Sequence, residues 1–261
     1  MNLGQSLYEF LQGISGRSAL FDQLFAMVAT NDLLKAGCIG ACLVAAWGAG
    51  QSKEESAILR RRLLIVLLAA LSTVATTKVL GRWISYPRPF ILSHEQTYRF
   101  AGSELTAYPA AAYRAPLAED SIKRKAELDS GFLDSNDWES FPSDHAGFFG
   151  CLAFGLLWVH RGIGWTALAW TLLVILPGKL VRGLHRPADL FAGLAVAVIL
   201  LLVWQTLDRF RLTAKAGEWM VRWNAVATGL FFCAAMEVAC TLEHAQDAAL
   251  AARSILRSLA G

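Results

Sequence analysis

From residue 33 to residue 242 the chain alternates between apolar runs and polar or charged connections. A membrane helix needs roughly 17–25 predominantly apolar residues. Six runs fit that scale: about Leu33–Gly50, Leu63–Leu80, Asp144–His160, Trp165–Val181, Pro187–Trp204 and Trp223–Leu242. Upstream, Leu20, Phe21, Leu24, Phe25 and Val28 recur at helical spacing, interrupted by Glu9, Arg17 and Asp22. This predicts a helix lying in the interface over residues 1–32, not a span. Residues 91–141 form a polar connection too long for a plain link, expected to be a lid, a binding loop or a small helical excursion. An Ala-rich tail, residues 243–261, predicts an exposed or interfacial helix. With no internal repeat and no second soluble domain, the pattern implies one all-α polytopic bundle over residues 1–261.

Composition agrees with a membrane protein. Of 261 residues, 55% are hydrophobic and 17% charged, against about 25% charged in ordinary soluble domains. Mean hydropathy is +0.42. The net charge of +3 gives no reason to expect a nucleic-acid partner. The first 18 residues lack a basic start and a clean apolar core, so no cleavable signal is expected. Five cysteines lie inside apolar runs without metal or disulfide spacing, and Cys38 and Cys42, on one helix face, read as small buried thiols. Arg60, Arg61 and Arg62, then Arg161, then Arg209 to Arg222 fall in alternate connections, which the positive-inside rule assigns to the cytoplasm. Residues 91–141 and the turn at residues 182–186 then share the opposite face.

Three polar clusters fall at that face. Arg82 and Arg88 follow the second run, Ser143 and His145 start the third, and Lys179, Arg182, His185 and Asp189 surround the turn between the fourth and fifth. Ionisable groups so close to a span are costly unless paired or functional. A helix start at Ser140-Phe141-Pro142-Ser143-Asp144-His145-Ala146 points bare amides, a hydroxyl and an imidazole at one small volume, as an anion site requires. The chemistry these groups suit is phosphoryl transfer: cations neutralise phosphate oxygens, one His attacks phosphorus, and another protonates the leaving oxygen. His185 and Asp189 are four apart, spacing at which a carboxylate can fix an imidazole tautomer.

Pro142-Ser143-Asp144-His145, then His185-x-x-x-Asp189, with Arg88-Pro89 upstream, resembles the type-2 phosphatidic acid phosphatase superfamily, which includes membrane lipid phosphatases and vanadium haloperoxidases. The Asp in the second motif and the Pro-Arg-Pro-Phe ending of the first look most like the bacterial undecaprenyl-pyrophosphate phosphatase branch. The resemblance implies His185 as nucleophile, Asp189 as its partner, His145 as general acid, and Ser143 and Arg88 as phosphate ligands. It implies a phosphohistidine intermediate, a lipid phosphate substrate and a multi-pass location in a bacterial inner membrane with the site outside. Two departures stand out. Gly81 occupies the place of the family Lys, leaving Lys78 or Arg82 to substitute, with Arg82 favoured as nearer the interface. Lys179 and Gly178 stand where the family has Arg and Ser, and Lys lacks the planar fork of Arg, so Arg182 is a candidate to share its work. No hard-metal carboxylate cage is evident, so no cofactor is expected.

Two other readings belong to different classes: an anionic-lipid binder or transporter without chemistry, and a vanadate-using oxidoreductase. Within the phosphatase reading, phosphatidate, phosphatidylglycerol phosphate and a lipid A phosphate remain alternatives to undecaprenyl pyrophosphate.

Overall fold

A computed structural model describes residues 31–86, 88, 98–101, 104–107, 115–116, 138–181, 184–208 and 213–240, and the isolated positions 18, 20 and 24. The expected helix over residues 1–32 and the tail at 243–261 lie outside the described residues, apart from those few positions. Among the described residues these helices follow in order: α1 Asp32–Gly48, α2 Lys53–Ile84, α3 Asp144–Val159, α4 Arg161–Val181, α5 Pro187–Asp208, α6 Ala214–Arg222 and α7 Asn224–Ala239.

The bundle is all-helical, as the apolar pattern requires. α2, α4 and α5 are each long and apolar enough to cross a membrane, while α1, α3 and α7 are apolar but shorter. Large apolar side chains also face outward, among them Val79, Leu173, Phe191, Ile199, Leu202 and Leu230. In water such a surface would be a liability, whereas in hydrocarbon it is ordinary solvation. This is a membrane protein.

At the centre α3 packs against both α2 and α5, and α2 also packs against α5. α3 carries a fully buried core of Phe149, Cys151, Leu152, Ala153 and Leu156. The close approach depends on two glycines near its start. A Cβ on Gly193 of α5 would lie 2.3 Å from the Ser143 carbonyl oxygen, and one on Gly147 would lie 2.8 Å from Thr73 Cγ2 of α2. Polar groups inside the bundle are met locally: Thr73, Thr77 and Thr171 each return their hydroxyl proton to a carbonyl on the preceding turn. Indole N–H groups close longer gaps, Trp204 to Ser72 Oγ and Trp170 to the Lys35 carbonyl, both at 3.0 Å.

Several boundaries differ from the sequence expectation. Arg161 to Gly164 is not a tight turn. The break is His160 alone, extended at φ −150°, and Arg161 already begins α4. His160 Nδ1 caps the new helix by accepting the Ile163 N–H at 3.3 Å. α4 contains a π-helical turn at Thr171–Ile175, just before Pro177. A proline inside a helix removes an N–H and crowds the carbonyl four residues back, and a wider turn relieves both. Arg60 to Arg62 lie inside α2, not in a loop. Arg60 sits 4.4 Å over the Trp47 ring and bonds the Met220 carbonyl, Arg61 pairs with Asp208 at 3.1 Å, and Arg62 bonds the Trp158 carbonyl. They staple five helices at one end of the bundle. The basic connection after α5 includes α6, whose Gly217 lies against the Ala57 carbonyl of α2. Within residues 91–141, three short strands, β1 Tyr98–Ala101, β2 Glu104–Ala107 and β3 Ala115–Pro116, form an antiparallel sheet in that order.

Gly193→Ala is expected to destabilise the protein by about 1–3 kcal/mol, the usual cost of overpacking, because Ser143 and α3 must move away from α5. A lowered thermal unfolding midpoint in detergent is the readout.

Candidate functional site

Opposite the arginine end, the start of α3, the end of α4 and the start of α5 meet. Pro187 opens α5, where its missing N–H costs nothing. Two residues on, Asp189 reaches back, and its Oδ2 accepts the Arg186 N–H at 2.8 Å, half of a capping box. This holds the short turn that carries His185.

Asp189 Oδ2 also accepts the Ser140 hydroxyl at 2.7 Å. The Ser140 carbonyl in turn accepts the His185 Nδ1 proton at 2.9 Å, and the Ser140 N–H donates to the Tyr86 carbonyl at 3.0 Å. Ser140 is fully buried and uses all three of its polar groups. Spacing alone suggests that Asp189 holds the imidazole directly, yet its Oδ2 is 3.9 Å from Nδ1, beyond hydrogen-bond distance. The carboxylate is occupied by the helix cap and by Ser140, so a backbone carbonyl fixes the tautomer instead. A carbonyl can only accept, so the proton sits on Nδ1 and the lone pair on Nε2. His185 is 1% exposed, and its Nε2 has no hydrogen-bond partner among the described residues. Burial, reinforced by the positive charges of Arg88 and then Lys179, holds this imidazole well below its ordinary value, so it is neutral near pH 7. Arg88 is half-buried and Lys179 is buried. Arg182 lies outside the described residues.

The start of α3 differs from a bare helix end. Ser143 is the N-cap and its Oγ accepts the Ala146 N–H at 3.3 Å, while Asp144 Oδ1 accepts the His145 N–H at 2.7 Å. Those amides are already satisfied, because Ser and Asp are good capping residues at these positions. What α3 offers is the buried Ser143 hydroxyl proton and the His145 ring. Ser143 N–H also donates to the Asp189 carbonyl at 2.9 Å, fixing the two helix starts against each other.

His145 Nδ1 lies 2.7 Å from Asp144 Oδ1. Lys78 Nζ lies 3.1 Å from Asp144 Oδ2 and 3.4 Å from Glu139 Oε2. Arg82 Nε lies 3.1 Å from Glu139 Oε1, with a side chain 75% exposed. Of the two cations near the vacant Gly81 place, Lys78 is therefore the one joined to the His145 end, and Arg82 is at the rim. Position along the helix favoured Arg82, but Lys78 spans the extra turn with its flexible stem. A Cβ on Gly81 would itself come within 3.3 Å of Glu139, so the chain packs tightly there.

Asp144, His145 and His185 each bring one ligand atom within 4.8 Å of the others. Two imidazoles and a carboxylate are donors of a kind that suits zinc. Here Oδ1 and Oδ2 of Asp144 already engage His145 and Lys78, so the set is arranged to hold protons. Sequence reasoning missed Ser140, Glu139 and Asp144 as members of the site. Ser140 and Asp144 stood inside the quoted motif, but a carbonyl acceptor and a capping carboxylate leave no distinctive spacing.

Neither curated proteins nor solved structures gave a match to the chain. Residues 62–213 match the PAP2 superfamily, a range that begins in α2 and ends past α5, and so contains His145, His185 and Asp189 together with every helix that positions them. That range is more than half of the chain, and the protein belongs to the PAP2 superfamily of phosphatases.

Proposed function

We propose that the protein hydrolyses a lipid phosphate at the outer face of a bacterial inner membrane, with a polyprenyl pyrophosphate, undecaprenyl pyrophosphate going to undecaprenyl phosphate, as its substrate. The observation that carries the hydrolytic reading is the buried, neutral His185, whose Nε2 lone pair is unpartnered among the described residues and whose ring has a nitrogen within 4.8 Å of ligand atoms of Asp144 and His145. His185 Nε2 attacks phosphorus, the bond to the leaving oxygen breaks, and that oxygen takes a proton from His145. A water then attacks the phosphohistidine, His145 takes back a proton, and His185 is released. Arg88, Lys179 and the Ser143 hydroxyl bind the phosphate oxygens, where charge spreads in the transition state. The polyprenyl assignment is supported by the Asp in the second motif and the Pro-Arg-Pro-Phe sequence of the first.

Sidedness is supported by the arginines. Arg61 and Lys78 are about 26 Å apart along α2 at 1.5 Å per residue, close to the thickness of a hydrocarbon core. With Arg60 to Arg62 at the cytoplasmic end, the His pair lies near the other surface.

Purified protein in detergent, without added metal, is expected to release phosphate from undecaprenyl pyrophosphate faster than from phosphatidate, phosphatidylglycerol phosphate or a lipid A phosphate. Orthovanadate should inhibit it. His185→Ala should abolish release while inserting normally, and residual turnover near wild type would remove the nucleophile assignment. If every lipid is bound and none is hydrolysed, the binding-protein reading replaces this one.

The environment of His185 also fixes a pH dependence. Its neutral form attacks, and its value is pushed well below 6.5, so the loss of activity caused by His185 protonation must come below pH 6.5. A pH profile of kcat/KM, corrected for the substrate's own ionisation, checks this. An enzymatic acid limb at 6.5 or above contradicts it.

For orientation, Ser130→Cys is expected to react with an impermeant thiol reagent in intact spheroplasts, and Gly162→Cys only after lysis. The reverse pattern would turn the site to the cytoplasm.

A further inference from the structure

In the second motif Asp144 stands between Ser143 and His145, and both of its carboxylate oxygens are engaged. Its Oδ1 accepts both the His145 backbone N–H and the His145 Nδ1 proton, each at 2.7 Å. Its Oδ2 takes Lys78 Nζ at 3.1 Å, and the same ammonium reaches Glu139 Oε2 at 3.4 Å. Glu139 is 7% exposed and bonds Arg82 on its other oxygen. A continuous series of ion pairs and charged hydrogen bonds therefore runs inward from Arg82 through Glu139, Lys78 and Asp144 to His145. We propose that Asp144 is the positioning residue of the general acid, held in place by Lys78, and that Lys78 serves this network and not the phosphate.

The argument rests first on geometry. The bond at Nδ1 fixes the ring so that the other nitrogen, Nε2, carries the transferable proton. A ring anchored only by Cβ rotates, and a donor must lie within about 2.6–3.2 Å of the oxygen it protonates. Second, charge requires a partner at this place. Lys179 of α4 and Lys35 of α1 are both buried and bring positive charge to His145. Lys35 lies outside the matched family range, so this chain has a cation there in addition to those of the motifs. Those ammonium groups oppose the protonated ring that a general acid must have, and Asp144 is the carboxylate in contact that favours it. Third, an ammonium already shared between two carboxylates has little left for a phosphate, which excludes Lys78 as its main ligand.

The inference rests on the hydrolytic reading above, and the chemistry balances within it. As the His185 Nε2–phosphorus bond forms, the phosphorus–oxygen bond breaks and its electron pair leaves with the oxygen. The proton moves from His145 Nε2 to that oxygen. Asp144 stays ionised and goes on accepting the hydrogen bond from Nδ1, whose proton the ring keeps, and the neutral ring is oriented to take a proton from water at Nε2 in the second step.

Because a general acid matters in proportion to the basicity of the leaving oxygen, two substrates separate this role from a structural one. Asp144→Asn keeps the shape and removes the charge. On a long-chain alkyl phosphate, kcat should fall about 30- to 300-fold, within the range general acids supply, with KM changed less than about threefold. On p-nitrophenyl phosphate, whose leaving group needs no proton, the fall should be less than about threefold. Asp144→Glu should restore part of the alkyl rate. If Asp144→Asn elutes aggregated in detergent, Lys78→Gln carries the same test, with a smaller alkyl-selective loss expected. Unchanged rates, or equal losses on both substrates, overturn the inference while leaving the hydrolytic reading standing. A wild-type protein that hydrolyses neither substrate nor any lipid phosphate overturns that reading and this inference with it.

Discussion

The Nδ1 proton of His185 goes to a backbone carbonyl, and much of the site exists to keep that carbonyl, Ser140's, where it is. A carboxylate on a rotatable stem could follow the ring as it moved, but a carbonyl in the main chain cannot. Ser140 is held from three sides: its amide by Tyr86, its hydroxyl by Asp189, and its neighbour Glu139 by Lys78 and Arg82. The consequence is a buried imidazole with one tautomer and one orientation. Ser140 satisfies all three of its polar groups within this buried network, and the ring atom the network leaves without a hydrogen bond among the described residues is His185 Nε2.

The two ends of the bundle solve different problems with the same types of residue. At the arginine end, Arg60, Arg61 and Arg62 are fixed by an aromatic ring, a buried carboxylate and carbonyls on four other helices. Those charges neutralise each other or lie against indole faces, and their work is mechanical. At the site end the cations Arg88 and Lys179 instead act on His185, where their positive charge adds to burial in keeping the imidazole neutral.

Much of this was legible in the residues. Apolar runs and their charged borders give the bundle, Pro187 gives the start of α5, and two histidines among five, beside caps and cations, give the site. The roles of individual partners were harder to see. The i, i+4 relation of His185 and Asp189 is real, but the helix cap competes for the carboxylate, and no spacing rule reports which demand wins. Asp144 reads as an ordinary first-turn acid until its two oxygens are seen to join His145 and Lys78. The break at His160 was hidden because Arg161-Gly162-Ile163-Gly164 carries two glycines, usually a turn signal. Here Gly164 instead lets α4 begin against α3, where a Cβ would lie 2.3 Å from the Leu157 nitrogen. The three short strands have too little apolar alternation to register in a search for spans.

The parallel bridge between Tyr86 and Glu139 joins the chain leaving α2 to the chain entering α3. It closes a neck between two positions some fifty residues apart in sequence. The bridge holds Ser140 under the imidazole, and Arg88 follows Tyr86 by only two residues, so a change of sequence beyond Arg88 need not disturb the register of the ring.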